Sequence, residues 1–390
     1  MTPELREGFT LTLEKMLILG NYDPPSAALQ SISASNTILK YDISGFEPGM
    51  IWLTGASPLF SMSGRSSASR RVLVKLHSLI GPEQPRALIS LQGVELLHRY
   101  IAGEWQIREN LNDPLIEGQL DKGNFTEVLR ALQYAGLISI ETGDWTTCHG
   151  TLRMLAEVSE RFDTDIGRNT RDLAIMRYYI KRRMVQEASD AVPAFMTFSA
   201  RGSISKWSTV IGHLFCARVF LLQEEFDKAM AEQKSARSSL ENLAGSLKGR
   251  RRAKTVFASG VLAAGMALNT IAAIAVERAR QASAAGQLDR PTRGECIADI
   301  RMYLANARKF APDLTEALKF LGSYWWHAGS RRRALSYWRQ SIREGERLGA
   351  KVELGHTLVD AGALLGKVAP GPEWRKRGAE LYAELGIRGV

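Results

Sequence analysis

The clearest helix pair in the sequence spans residues 315–346, TEALKFLGSYWWHAGSRRRALSYWRQSIREGE. Apolar and small residues recur at spacings of three and four in both halves of this stretch, which predicts two amphipathic helices. Gly329 and Ser330 interrupt the pattern, so we expect two antiparallel helices joined by a short turn. Gly322 stands inside the first helix, where glycine costs about 1 kcal/mol relative to alanine. We therefore expect a crossing helix to need the space at Gly322, with Ala334 as its small counterpart.

The same pattern of a packing residue, a turn and a second helix recurs along the chain. The packing position of the first helix falls at Gly136, Met176, Ala217, Gly322 and Gly355. Successive steps are 40, 41, 105 and 33 residues, and the step of 105 leaves room for two further units. Periods of this size are typical of solenoids. The sequence thus predicts an all-α fold, a right-handed α-solenoid of antiparallel helix pairs with a period of about 34 to 41 residues.

These units resemble the tetratricopeptide repeat (TPR), which has a small residue and a later aromatic residue in its first helix and an alanine early in its second. Gly322, Trp325 and Ala334 match those positions, although Met176 replaces the small residue in one unit and the usual closing proline is missing. The resemblance covers roughly two thirds of the chain. Residues 333–349 are similar to the helical C-terminal regions of large bacterial signalling proteins, where such repeats follow an ATPase, cyclase or kinase domain. The resemblance implies a regulatory interaction module.

Length and composition set the domain organisation. The chain has 390 residues, of which 45% are hydrophobic and 24% charged, so it is a folded protein long enough for several domains or one elongated array. We predict an irregular helical cap at residues 1–85 and a TPR-like array at residues 86–390. Within the cap we expect an exposed Ser- and Gly-rich loop that ends at Arg71.

Residues that could act in catalysis or bind a metal are few and dispersed along the chain. Cys148, Cys216 and Cys296 form no C-x-x-C pair, and the six histidines lack metal-binding spacing. Cys148 stands at a packing position, so we interpret it as a buried, inert thiol. The nearest approach to a nucleotide-binding P-loop, at residues 64–66, lacks the first glycine and the lysine of that motif. We expect no catalytic residues, no cofactor, no metal and no enzymatic activity, and we expect a cytoplasmic protein.

One uncharged segment, residues 255–276, is long enough to cross a bilayer, which takes about 20 residues. It consists mostly of small residues and contains Asn269 and Thr270. We favour a helix buried between neighbouring helices over a membrane span, and expect no stable membrane insertion.

The chain carries a net charge of +10, with basic clusters at residues 70–71, 181–183, 248–252 and 331–333. Clustered cations can bind nucleic acid by releasing phosphate counterions. Most of these clusters fall at predicted turns or helix ends, where cations complement the helix dipole and stay hydrated. We therefore favour solvated clusters over a nucleic-acid site.

The inner surface of a solenoid is lined by its first helices and commonly binds polypeptide. The polar first-helix residues out of register with the core are Arg130, Gln133, Arg177, Arg218, Lys319, Ser323 and Trp326. Four of the seven are cationic, so we expect a protein or an acidic peptide as partner, bound through carboxylate contacts. The alternatives are the helical regulatory part of a multidomain ATPase or nucleotide cyclase, and a nucleic-acid-binding array. The oligomeric state stays open.

Overall fold

The computed structural model describes residues 2–22, 24–62, 66–105, 111, 113–200, 206–245 and 261–387. These residues form eighteen α-helices and no strand. The helices of the first half are α1 (Pro3–Tyr22), α2 (Pro24–Ile38), α3 (Glu47–Met62), α4 (Ser66–Leu79), α5 (Pro85–Ala102), α6 (Asp113–Leu120), α7 (Phe125–Thr142), α8 (Trp145–Phe162) and α9 (Asp165–Lys181). Those of the second half are α10 (Val185–Ala200), α11 (Lys206–Leu222), α12 (Phe226–Gly245), α13 (Val261–Ala284), α14 (Arg290–Ala307), α15 (Ala311–His327), α16 (Arg331–Leu348), α17 (Lys351–Leu365) and α18 (Gly371–Glu384).

Consecutive helices pack as pairs, with the odd-numbered helix first. The odd helices also contact one another in series, from α3 through α5 and α7 to α17, so they form an inner layer while the even helices lie outside. This arrangement is the TPR-like α-solenoid that the sequence predicts.

Small residues of the first helices allow close packing within the pairs. Gly322 of α15 lies directly against the indole of Trp338 in α16, one turn beyond the expected counterpart Ala334. A methyl group placed on Gly136 would lie 3.3 Å from the Thr151 side chain of α8, closer than an ordinary van der Waals contact. The crossing helix predicted from Gly322 is therefore confirmed. The Trp338 ring fills the space that the missing side chain of Gly322 leaves.

The turns form where the sequence pattern breaks. Gly143 ends α7 in the left-handed conformation (φ 75°), which glycine adopts without a steric cost. The next residue, Asp144, caps α8 by accepting a hydrogen bond from the Thr147 backbone N–H at 3.2 Å. Cap and turn together fix the antiparallel direction of the pair.

The long step between Ala217 and Gly322 contains one additional described pair, α13 and α14, where the sequence suggested two. The helix expected over residues 255–276 is described from Val261, and the residues before it lie outside the described ranges. Among the described residues, no helix is long and apolar enough to cross a membrane.

The N-terminal region is more helical than predicted. The prediction of an exposed loop that ends at Arg71 is wrong for residues 66–71, because they form the first turns of α4. Residues 63–65 lie outside the described ranges. Val72 and Leu76 of α4 share a core with Ala87 and Leu91 of α5. This apolar contact joins α4 to the array across the predicted boundary at residues 85 and 86.

The inner layer closes on itself. Helix α17 contacts α7, and α15 contacts α5, so the C-terminal pairs return to helices near the start of the array. Trp145 Nε1 donates to the Leu385 carbonyl at 2.6 Å, and Trp145 packs beside Val352 and Tyr382. We call this contact region between α7–α9 and α17–α18 the closure junction.

Candidate partner-binding cleft

The odd helices α9, α11, α13, α15 and α17 converge on a cleft of about 240 Å³. Its lining combines charged side chains, mainly from α9, α15 and α17, with apolar side chains, mainly from α11 and α13. Because these helices come from five successive pairs, the cleft exists only when the array is assembled and curved.

A buried lysine holds the charged side of the cleft together. Lys181, at the end of α9, has its Nζ 2.7 Å from Glu353 Oε1 of α17, 3.5 Å from Glu141 Oε2 of α7 and 3.8 Å from Glu316 Oε2 of α15. Each of these four side chains is at most 6% exposed. One ammonium group thus joins four helices, including α9 and α17 across the closure junction.

Two further cations complete this buried network. Arg177, one turn before Lys181, donates from Nε to Glu141 Oε1 at 3.1 Å. Lys319 of α15 lies 3.2 Å from Glu353 Oε2. Burial acts to raise the pKa of Glu353, but the charges of Lys181 and Lys319 outweigh it and hold that pKa well below its usual range.

A histidine lies at the edge of the network. His356 Nδ1 is 3.3 Å from Glu353 Oε1, and burial lowers the pKa of this imidazole, assisted by the nearby cations Arg183 and Lys319. We therefore assign His356 as neutral near pH 7, with its Nδ1–H donating to Glu353.

The rim of the cleft carries Arg183, in the turn after α9. Its backbone is left-handed (φ 53°), a conformation that costs a non-glycine residue roughly 1 kcal/mol. Its guanidinium donates from Nη2 to Asp360 Oδ1 of α17 at 2.7 Å and lies over the Tyr382 ring. These contacts, made with residues of α17 and α18, compensate the backbone cost.

Arg218 of α11 is the other rim arginine. It donates from Nη2 to Glu316 Oε1 at 2.8 Å, and Asn269 of α13 donates to the other oxygen of the same carboxylate. Glu316 therefore links α11, α13 and α15 at one point. Arg218 Nε has no hydrogen-bond partner among the described residues.

Apolar side chains also line the cleft. Ile180, Leu221, Leu222 and Val276 line it and are only partly buried, so they present hydrocarbon surface to the opening. A cleft lined by both polar and apolar side chains suits an amphipathic ligand group.

The structure brings three of the seven predicted site residues together in the cleft: Arg177, Arg218 and Lys319. All three are paired with carboxylates of the chain itself. The free cationic surface assumed from the sequence is therefore neutralised internally at these positions.

The other four predicted site residues lie outside this cleft. Arg130 and Gln133 are partly buried on α7, and Ser323 is buried on α15. Trp326 packs on Trp338, with ring centroids 5.8 Å apart, between α15 and α16. Their role in partner binding stays a prediction.

The solvated interpretation of the basic clusters is wrong for residues 181–183. Lys181 is buried in the network, Arg183 pairs with Asp360, and Arg182 donates to the Gly386 carbonyl at 2.8 Å. The helix dipole acts only at the local helix end, whereas the acids of α17 and the Gly386 carbonyl after α18 reach these residues from distant parts of the chain. The clusters at residues 70–71 and 331–333 are exposed, as expected, and that at residues 248–252 lies outside the described ranges.

The cysteines behave as packing residues. Burial raises the pKa of the Cys148 and Cys216 thiols to about 12 and also raises that of Cys296. Cys148 is fully buried in the core between α7, α8 and α9, which confirms the predicted burial of this thiol. Within the described residues, no group of three His, Cys, Asp or Glu side chains could hold a metal ion.

Sequence reasoning missed the acidic half of the network and two of its cations. The missed residues are Glu141, Lys181, Arg183, Glu316, Glu353 and Asp360. A signal was present, because charged residues spaced three, four or seven apart recur on first helices, as at Glu353 and Asp360. Such spacing places both side chains on one helix face.

Comparison with solved structures relates this geometry to a known fold. The chain matches the crystal structure of a Rap protein complexed with Competence and Sporulation Factor, with a TM-score of 0.64 over 98% of this chain and 99% of that chain. The fold is shared with a Rap protein. Sequence identity is only 7%, so the likeness establishes the TPR-like helical fold alone. Comparison with protein-family models and with curated protein sequences finds no match.

Proposed function

We propose that this chain is a non-catalytic regulatory module that binds a polypeptide segment in the cleft between α9, α11, α13, α15 and α17. The observation that carries the proposal is the cleft itself, which first helices of five successive pairs line with both charged and apolar side chains. Peptides carry both kinds of group on a short segment, and TPR-like solenoids use their inner surfaces for such ligands.

The structural neighbour supports this proposal. The Rap protein was crystallised as a complex with Competence and Sporulation Factor, so a chain of this fold and length does hold a partner. We infer a regulatory role, in bacterial signal transduction and in the cytoplasm, for the present chain.

The internal ion pairs define how a partner would bind. Five cations line the cleft, Arg177, Lys181, Arg183, Arg218 and Lys319, against four acids, Glu277, Glu316, Glu353 and Asp360. A strongly acidic peptide would add charge to a site that is already nearly balanced. The ligand that fits best therefore brings one or two charged groups and an apolar group, and binds by sharing the existing ion pairs.

The proposal is tested by site-specific photo-crosslinking in the native cell. A benzophenone side chain is placed at Leu222 in the cleft and, as a control, at Met302, an exposed residue of α14. We expect the probe at Leu222 to yield a crosslinked polypeptide that the Arg177→Ala/Arg218→Ala double variant loses and the Met302 probe does not capture. Crosslinks confined to Met302, or none at Leu222, would contradict a polypeptide-binding cleft.

A further inference from the structure

We propose that the exposed face of α16 binds single-stranded nucleic acid, with its arginines at the phosphates and two of their guanidinium groups stacked against bases. This inference concerns the outer layer of the solenoid and is independent of the polypeptide proposed for the cleft. It follows from the charge and exposure of residues 331–343, from the absence of acidic partners there among the described residues, and from two indoles that contact these arginines.

The N-terminal part of α16 carries a concentrated positive charge. Residues 331–343 contain five arginines and no acidic residue. Every exposed residue of this stretch is an arginine except Ser336. Helix α16 belongs to the outer layer and packs on α15 and α17, so its exposed face lies on the outside of the solenoid. We call the five exposed arginines the arginine patch: Arg331, Arg332, Arg333, Arg339 and Arg343.

The arginine patch has no acidic partner in the part of the chain that the structure describes. None of its five side chains forms a salt bridge or a hydrogen bond there. The pattern changes farther along α16, where Arg347 pairs with Glu344 at 2.7 Å and Glu346 pairs with Arg377 of α18 at 2.6 Å. The patch is therefore the uncompensated part of this helix.

The positions of these charges cost the helix stability. Arg331, Arg332 and Arg333 form the first turn of α16, where the positive end of the helix dipole disfavours cations. Arg339 and Arg343 are four residues apart, a spacing at which like charges destabilise a helix. No ion pair of the described chain offsets this repulsion, which a bound polyanion would remove.

Three arginines of the patch form a row along α16. Arg332, Arg339 and Arg343 are separated by seven and four residues, so they lie on one face of the helix. The row is about 16 Å long at roughly 1.5 Å per residue. A nucleic-acid strand carries one negative charge per nucleotide, so a single strand can neutralise several cations of such a row.

Two tryptophans of α15 contact guanidinium groups of the patch. Arg333 Cζ lies 4.4 Å from the centroid of the Trp325 ring, and Arg331 Cζ lies 5.4 Å from that of Trp326. These cation–π contacts restrain two planar groups that are nevertheless exposed to solvent. The unstacked bases of a single strand stack on aromatic rings and on arginine planes, whereas the bases of a duplex are covered by their neighbours. The contacts therefore favour a single strand over a duplex.

The composition of the patch favours nucleic acid over other anionic partners. A protein interface has an apolar core, and a helix that binds a membrane surface inserts an apolar face. The large exposed hydrophobic residues of the described chain all lie outside α16. Interfaces with nucleic acid are more polar and more positively charged than interfaces between proteins, which matches this surface.

The test measures fluorescence anisotropy of a labelled single-stranded DNA of about 12 nucleotides and mixed sequence while the full chain is added. If all five arginines contact phosphates, the logarithm of the binding constant should fall with the logarithm of the salt concentration with a slope of about −3.5. Unlabelled competitors are the same strand, its duplex, a polyglutamate peptide and phosphatidylserine vesicles. We expect the single strand to compete at least tenfold better than each of the others, because only its bases can stack on the patch.

Two double variants locate the binding. Arg339→Gln/Arg343→Gln removes two phosphate contacts, so we expect about 25-fold weaker binding at about 0.1 M salt and a slope less steep by about 1.4. The matched control is Arg153→Gln/Arg161→Gln, which removes two exposed arginines from another outer helix, α8, where both are paired with acids. It changes the net charge equally and should leave the affinity unchanged. Circular dichroism and thermal unfolding show whether each variant is folded.

The competition in the wild-type chain does not depend on any variant. Failure of the wild-type chain to bind the single strand would overturn the inference, and so would stronger competition by the duplex, the polyglutamate peptide or the vesicles. Equal losses of affinity in the two double variants would show that binding follows the net charge of the chain, which overturns the assignment to α16. The crosslink at Leu222 tests the cleft separately, so failure of one proposal can be told from failure of the other.

Discussion

Two regions hold the solenoid together in different ways. One is the interface between α15 and α16, and the other is the closure junction, where α9 meets α17. The first is local and apolar, with Gly322 packed on the buried Trp338 ring. The second joins residues 172 positions apart through charged groups, with Lys181 bound to Glu353. Apolar packing is insensitive to pH and tolerates ligands poorly, whereas an ion-pair network can exchange partners. We therefore expect the apolar interfaces within the pairs to hold the fold, and the ion pairs of the closure junction to respond to pH and to ligands.

The largest effect is expected at the apolar interface. Trp338→Ala removes a fully buried side chain and should lower the free energy of unfolding by about 4 to 5 kcal/mol. Chemical denaturation of the variant against the wild-type chain measures it. Trp326→Ala, which truncates a partly exposed ring, is the control and should cost clearly less. Equal losses for both variants would contradict the packing role of Gly322 and Trp338.

The junction should respond almost as strongly to the loss of its central cation. Lys181→Met leaves Glu353, Glu141 and Glu316 without their shared buried partner and should cost about 3 to 4 kcal/mol of unfolding free energy. Lys228→Met, which removes an exposed ion pair with Glu225, should cost less than about 1 kcal/mol. A Lys181→Met variant as stable as Lys228→Met would show that the buried network does not stabilise the junction.

A buried acid beside the network makes stability depend on pH. Burial raises the pKa of Asp313 to about 6, and the nearby acids Glu316 and Glu141 act in the same direction, while Arg177 and Lys181 oppose them. The ordinary value is 3.8, so between these pH values Asp313 binds more protons in the folded chain than in the unfolded chain, and its contribution to stability falls as pH rises.

The Asp313→Asn variant therefore tests directly how much this carboxyl contributes to the pH dependence of stability. At about 1.4 kcal/mol per pKa unit, the variant should be more stable than the wild type by about 2 to 3 kcal/mol at pH 7.5 and equally stable below pH 4. Denaturation midpoints measured across this pH range provide the comparison. A stability difference that stays constant with pH would rule out the raised pKa.

The smallest effect concerns the backbone of Arg183. Both Arg183→Ala and Arg183→Gly remove the contacts with Asp360 and Tyr382, but glycine also relieves the left-handed backbone. Arg183→Gly should therefore be more stable than Arg183→Ala by about 1 kcal/mol. Thermal unfolding of the two variants measures this difference. The reverse order would mean that the turn adopts another conformation.

The sequence predicts the helix pairs because their packing is periodic and local. The spacing around Gly322, the break at Gly329 and the turn at Gly143 each lie within one repeat, so their consequences can be read from neighbouring residues. The residue that fills the space beside Gly322 was harder to identify, since Ala334 and Trp338 lie on the same face of α16 one turn apart.

The closure junction could not be predicted in this way. Lys181 ends its helix with the composition of a solvated cap, and nothing near it in sequence shows that Glu353 will lie 2.7 Å away. The position of α17 depends on the rotation accumulated over the pairs that lie between it and α9, which no single repeat encodes. Arg177, Arg218 and Lys319 were found because they lie on first helices, but their acidic partners come from other repeats.

The charged contacts of the closure junction should keep the solenoid closed around its cleft. Spin labels at Ile166→Cys on α9 and Val368→Cys after α17 report this closure, and both positions are exposed, whereas the three native thiols are buried. Double electron–electron resonance should give one narrow distance in the otherwise wild-type chain and a broader, longer distribution when Lys181→Met and Arg183→Ala are added. An unchanged narrow distance in that variant would contradict the claim.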